Sequence, residues 1–425
     1  MINTIKYNNQ IACYKPSFFY IDLGQYNDME DVINHNDKLS VLIHEYIHFM
    51  QDVLTVYGLN NIRNYYIIIN NSIGSVKDQS CNKKIVPIDG KDDFINDFVK
   101  NFNLTYGSQD NFNLREYDKL INIKQNIINS NGSLPVPVFT AIYSHNKSIK
   151  LGAIHIFEGM SYLIEKILFD KMVIPSPDVP YSTIIQIVEY ICPKLLVKKY
   201  FIVALCELSL SFSNPMQYFI ESLDAIKGKS FDSLSLDEFV FLLTKDLMVG
   251  DENKTVSLNE SFIEICNSAR AKVNSILDME YFDEAKLWIN TILDKAVIQK
   301  EKTLIPITKT FITKDPFDAF KKSASVNLGC PAIYLQNIGI TIEQENSTKD
   351  IYLFTVLNEV LNMLLCGQPC TLQKKCEQIE KSFKTPTCTN NLCETEPFKK
   401  INEENRCPYA IIWKYFGFGD NFRIM

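Results

Sequence analysis

The stretch Leu39 to Gly58, LSVLIHEYIHFMQDVLTVYG, decides how the chain is read. It carries His44-Glu45-Tyr46-Ile47-His48, an H-E-x-x-H pattern, inside an apolar run that continues through Leu42, Ile43, Phe49, Val53 and Val56. Residues four apart share one face of an α-helix, so both imidazoles can reach one metal ion while Glu45 projects beside them. Two neutral imidazoles and one further protein ligand leave a zinc ion with an open position for water, and an adjacent carboxylate can accept that water's proton. Asn36 or Asp37 offers an N-cap and Gly58 a left-handed stop, so a helix from about residue 37 to residue 57 is expected.

H-E-x-x-H supplies two ligands and the site needs a third. A glycine three residues after His48 and a histidine three beyond that would provide one, but those positions hold Gln51 and Leu54. Asp52 is one turn from His48 but two turns, about 12 Å, from His44, which assigns it to supporting the ligands. The run Gly152 to Asp170, GAIHIFEGMSYLIEKILFD, has a second helical period, with His155, Glu158, Tyr162 and Glu165 recurring along one face. From the residues alone His155, Glu158 and Glu165 are all open as third ligand. Tyr162, His155 and His145 are all open as donors to an anionic intermediate. His145 also reads as a turn residue beside Asn146 and Lys147, and His155 as a core or supporting hydrogen-bond partner.

These two segments together resemble the gluzincin branch of the zincin metallopeptidases. HEYIHFMQD followed by Glu158-Gly159-Met160-Ser161 is similar to that group's pairing of a motif helix with a later glutamate helix. The wider frame is similar to uncharacterised bacterial HEYxH proteins. The resemblance covers some 40 residues. It implies that Glu158 completes a Zn²⁺ site with His44 and His48, and that Glu45 is the general base of peptide hydrolysis. A protein or peptide would then be the substrate. A zinc amidohydrolase acting on a non-peptide amide, a non-catalytic zincin-like scaffold or interaction protein, and an effector or defence toxin are compatible with the same ligands.

The 425 residues are 46% hydrophobic and can bury a large core. The net charge of −7 gives no general attraction to nucleic acid. The longest apolar stretch, Tyr181 to Phe212, is broken by Glu189, Lys194, Lys198, Lys199 and Glu207, and reads as two buried helices rather than a membrane span. No apolar segment follows a basic one at the N-terminus, so a cytoplasmic location with reduced thiols is expected. The fold class expected is α+β and mainly helical, a zincin-like catalytic core with a small sheet and additional helical regions. Three regions follow: 1–172 as the metal-binding catalytic part, 181–302 as a helical part after the Pro-rich Val173 to Pro180, and 303–425 as a mixed part ending in a Cys-rich tail.

Within this frame, residues 11 to 23 read as short strands, Leu59 to Ile73 as a second helix, residues 75 to 132 as loops and short helices, and Val136 to Ile149 as a hairpin. Ser235 with Glu238 and Ser257 with Glu260 make capping boxes. Residues 303 to 343 read as a few strands and Ile351 to Cys366 as a buried helix. Six of the 12 cysteines lie between Cys366 and Cys407 without a C-x-x-C pair. Cys370, Cys376, Cys388 and Cys393 are the candidate ligands of a second, structural zinc or iron-sulfur site, with ordinary thiols as the alternative. The oligomeric state is not read from the sequence.

Overall fold

A computed structural model describes residues 12–79, 84–88, 100, 102–115, 118–129, 135–169, 176–250, 255–313, 315–336, 339–340, 350–377 and 388–424. The N-terminal segment before residue 12, the start of the Pro-rich boundary at Val173 and much of the expected loop region 75–132 lie outside these residues. The chain is α+β and mainly helical, with small sheets beside a helical body. Among the described residues no helix is long and apolar enough to cross a membrane.

The first strands, β1 (Cys13–Lys15) and β2 (Tyr20–Leu23), form an antiparallel pair. Their tight connection holds Ser17 and Phe19 at positive φ, 65° and 52°. Helix α1 (Met29–Asn34) leads into α2 (Asn36–Leu54), which carries the motif. Neither Asn36 nor Asp37 caps α2: His35 takes the N-cap position without a side-chain cap, and Asn36 and Asp37 form the first turn. Most of α2 is buried, as its nearly continuous apolar sequence requires.

Gly58 does not end α2. The helix stops at Thr55, which is extended at φ −127° and ψ 150°. The Thr55 hydroxyl donates to Gln51 O and accepts from Gly58 N, so this single residue closes one helix and caps the next, α3 (Val56–Lys77). Gly58 lies in the first turn of α3, where a Cβ would sit 2.4 Å from the carbonyl oxygens of Gln51 and Asp52. Its role is close approach of two backbones rather than a left-handed turn.

A short strand β3 (Lys84–Val86) precedes a three-stranded antiparallel sheet of β4 (Leu120–Ile128), β5 (Val136–Tyr143) and β6 (Ser148–Leu151). The expected hairpin is β5–β6, with His145 at φ 63° in its turn. The nine-residue strand β4 lies within the stretch read as loops. Helix α4 (Ala153–Phe169) follows β6 at once and packs on α2.

The region after the Pro-rich boundary is helical: α5 (Thr183–Ile191), α6 (Lys199–Ser209), α7 (Pro215–Ile226), α8 (Leu236–Thr244), α9 (Leu258–Ile276) and α10 (Asp283–Lys302). Both expected capping boxes form, and a two-strand ladder, β7 (Val249–Gly250) with β8 (Thr255–Val256), separates their helices.

Residues 303 to 327 depart from the strands expected across 303 to 343, which form only later, at Ala332–Leu335 and Gly339–Ile340. Pro306 and Pro316 start α11 (Pro306–Phe311) and α12 (Pro316–Lys322), and a π-helical turn spans Ser323–Asn327. Proline is favourable in the first turn of a helix, where its missing N–H leaves no bond unmade. The strands here are β9 (Ala332–Leu335) and β10 (Gly339–Ile340). The sheet order β1-β2-β9-β10 joins β2 to β9 in parallel, pairing Tyr20 with Ala332. Helix α13 (Tyr352–Cys366) ends at left-handed Gly367, and α14 (Pro408–Tyr415) packs on α13. Trp413 is fully buried among Phe398, Phe418 and Phe422, and β11 (Phe422–Ile424) pairs in parallel with β3. One apolar core runs through all three regions.

Candidate metal centre

Helix α2 places His44 and His48 one turn apart, with ring centroids 4.9 Å from each other. Opposite them, α4 presents Glu158. Its Oε2 lies 3.2 Å from His44 Nε2 and 3.4 Å from His48 Nε2. Ligands about 2.0–2.1 Å from a tetrahedral zinc lie about 3.3–3.4 Å from one another, so these two separations fit two edges of such a site, and all three donor atoms lie within 4.8 Å of one another. Among the described residues this is the one group of three or more His, Cys, Asp or Glu side chains whose donor atoms meet within metal-binding range.

The surroundings orient both rings. His44 Nδ1 is 3.2 Å from Glu165 Oε2, two turns along α4 from Glu158, and His48 Nδ1 is 2.8 Å from Gln51 Oε1. The Gln51 amide in turn donates to Phe157 O, tying α2 to α4. A carboxylate or amide oxygen on Nδ1 selects the tautomer whose Nε2 lone pair faces the centre. Glu45 is buried and its Oε2 accepts from Tyr14 N of β1 at 2.6 Å.

The charges explain one another. Burial by itself would lower the His44 pKa, but Glu158 and Glu165 outweigh it and hold the imidazole well above its ordinary value. His48 is raised in the same way, burial being outweighed chiefly by Glu158. Burial would raise Glu158, but His48 and His44 bring it well below the usual carboxylate range. The site therefore draws positive charge to one point, where a divalent cation would compete with protons. Burial lifts Glu45 above its ordinary value, partly offset by His48 and His44. A single divalent metal fits this donor set: two imidazoles, one carboxylate, and carbonyl or carboxylate partners behind the rings.

The other candidates separate. Asp52 makes its hydrogen bonds away from the two imidazoles: it accepts from Tyr14 O–H at 3.0 Å and Ser17 N at 2.7 Å, fastening the β1–β2 connection to α2. His155 is fully buried at the start of α4, where Nδ1 accepts from Gly152 N at 3.2 Å. Burial pushes its pKa down to about 4, and its donor atoms do not join the ligand group. His145 sits at the β5–β6 turn, 3.2 Å from Asp118, which also pairs with Lys147. Tyr162 is one ring removed from the ligands: it packs edge-on to Tyr181, whose ring centroid is 5.8 Å from that of His44.

Tyr14, Gln51 and Tyr181 are members of the site that the sequence reading did not single out. Gln51 is three residues from His48, so helical periodicity marks it as a neighbour. Tyr14 and Tyr181 reach the motif only through tertiary packing.

In the tail, Cys370 N donates to Cys393 O at 3.1 Å, and the described cysteines form no disulfides. Among the described residues Cys370, Cys376, Cys388 and Cys393 do not bring three donor atoms into metal range. No protein-family model, curated protein or solved structure matches the chain.

Proposed function

We propose that the chain is a zinc-dependent metallopeptidase built on a zincin-like core, with a protein or peptide as substrate. The observation that carries this reading is the convergence of His44 Nε2, His48 Nε2 and Glu158 Oε2, at 3.2 and 3.4 Å, beside the buried carboxylate of Glu45. His44, His48 and Glu158 would hold Zn²⁺. When bound, that ion supplies Lewis acidity, polarising a carbonyl and lowering the pKa of water.

Glu45 takes the proton from the attacking water and returns it to the leaving amine. The Tyr14 N–H holds one Glu45 oxygen, leaving the other for the exchange. Glu165 and Gln51 keep the two imidazoles aimed through the cycle. Of the donors considered for the anionic intermediate, His155 is sealed in the core and His145 is occupied at a turn, which favours Tyr162 with its neighbour Tyr181.

The test is metal content together with cleavage of a peptide library. Wild type and Glu45→Gln should each carry about one zinc per chain, and Glu158→Ala should lose it. Cleavage should fall at least about 100-fold in Glu45→Gln. Zinc binding without Glu45-dependent peptide cleavage would transfer the site to a non-catalytic scaffold or to an amidohydrolase, the latter separated by non-peptide amides as substrates. Absence of zinc would remove the reading altogether.

A further inference from the structure

The face of α2 away from the ligands is hydrogen-bonded to a second feature. Tyr46 lies about 200° around the helix from both His44 and His48. Its buried hydroxyl donates to Gly329 O at 2.8 Å and pairs with Ser323 Oγ at 2.9 Å. Ser323 opens the π-helical turn Ser323–Asn327, and its carbonyl also accepts from Leu328 N and Gly329 N. One tyrosine thus clips both ends of the turn. π-Turns are rare and concentrate at functional positions.

That turn walls a cavity of about 220 Å³ on its outer side, between α10, α11 and α12. Its polar lining is Gln299, Thr303, Lys309, Thr310, Lys322 and Asn327. No carboxylate is among the lining residues. Lys309 pairs with Asp237 at 2.6 Å, but the Asp237 side chain is 76% exposed, so the pair is screened by water and weak. Lys322 has no ion pair among the described residues. Two exposed ammonium groups, two hydroxyls and two amides surround this small open cavity. Gln299 donates to Asn327 O and Thr310 to Pro306 O, so the two lysines are its cationic contacts, and a compact dianion can engage both at once where a single carboxylate engages one.

We infer that this cavity binds a small phosphate-bearing molecule, with Lys322 and Lys309 as its cationic contacts, and that occupancy stiffens the turn held by Tyr46. The volume admits a phosphoryl group with a few carbon atoms and is small for a nucleotide. Because Asn327 lines the cavity and Ser323 holds Tyr46, a ligand that orders the turn acts on the back of the motif helix. Binding there does not depend on the reading of the metal centre.

Calorimetric titration of the full chain with inorganic phosphate, glycerol phosphate and acetate tests the site, alongside hydrogen exchange of residues 323–329. Saturable phosphate binding is expected, with glycerol phosphate tighter if an organic phosphate is the ligand and inorganic phosphate equal or tighter if the free ion is. Lys322→Glu, at an exposed position that folding tolerates, should raise the Kd at least about tenfold. Phosphate should slow exchange across 323–329 in wild type. In Tyr46→Phe it should still bind but no longer slow exchange in α2. No phosphate binding, binding unchanged by Lys322→Glu, or acetate binding as well as phosphate would each overturn the site. Unchanged exchange in wild-type α2 would overturn its link to the motif helix.

Discussion

Glu165 Oε2 stands 3.2 Å from His44 Nδ1, on the opposite side of the imidazole from Glu158. His44 is therefore gripped between two carboxylates of one helix, one facing the centre and one behind it. Glu165→Gln should keep the shape of that contact and remove its charge. Zinc affinity, measured by chelator competition, should fall about 10- to 100-fold, with Gln51→Ala also weakening it through His48. An unchanged affinity in Glu165→Gln would reduce the contact to packing.

Metal removal should also be visible as stability. The three candidate ligands come from α2 and α4, and an ion bound only by the folded chain stabilises it by about 2.7 kcal/mol when present at 100 times its Kd. Adding zinc to chelated protein should raise the thermal midpoint of wild type and leave that of Glu158→Ala where it was. A rise of equal size in both would place the responsive ion elsewhere, the cysteine tail being the first place to look.

Gly58→Ala should be costly although the position is helical. The new methyl would meet the backbone carbonyls of Gln51 and Asp52 at 2.4 Å, and backbone cannot rotate aside as a side chain can. A loss of about 2 kcal/mol or more is expected in urea unfolding. Because Gln51 holds His48, zinc affinity should weaken in the same variant. Alanine tolerated without loss would contradict the close helix approach.

Two buried groups set opposing pH slopes. Burial pushes Asp52 up to about 7 even though Ser17 N and Tyr14 O–H pull it down. Between about pH 4 and 7 the folded chain keeps a proton that the unfolded chain has released, so this group's contribution to stability falls as pH rises. His155, held down to about 4, refuses a proton that the unfolded chain takes up below about 6.5, so its contribution falls as pH drops. Relative to wild type, Asp52→Asn should turn the slope of stability against pH upward across this window, and His155→Gln should turn it downward. Urea midpoints from pH 4 to 7 check both signs, and parallel profiles in the two variants would refute the assignment.

The motif helix, the second ligand helix and both capping boxes were legible because each is written in local periodicity and short spacing. His44, His48 and Glu158 need only the pitch of a helix to be placed on their faces. The stop at Thr55 was hidden because β-branched residues do not normally announce a junction, and Gly58 offered a more familiar signal at the wrong place. The helices after Pro306 and Pro316 were misread as strands because proline and alternating residues there look like strand punctuation, whereas each proline occupies a helix's first turn. The partners of Glu45 and Asp52 come from β1 and its connection to β2, 31 to 38 residues away and in no fixed register with α2. Only tertiary packing sets that relationship, so no local pattern could announce it.

The parallel pairing of Tyr20–Leu23 with Ala332–Leu335 also bears on when the protein can mature. A ribosome adding about 5–20 residues per second needs roughly 15–60 s to travel from one strand to the other. During that interval β1 and β2, which brace Glu45 and Asp52, have no sheet neighbour on the β9 side. The nascent chain can make both imidazole-bearing and glutamate-bearing helices early, yet the sheet that braces Glu45 gains its β9 neighbour only after Ala332–Leu335 has been made. Biogenesis thus delays full bracing of Glu45 and Asp52 until β9 has left the ribosome.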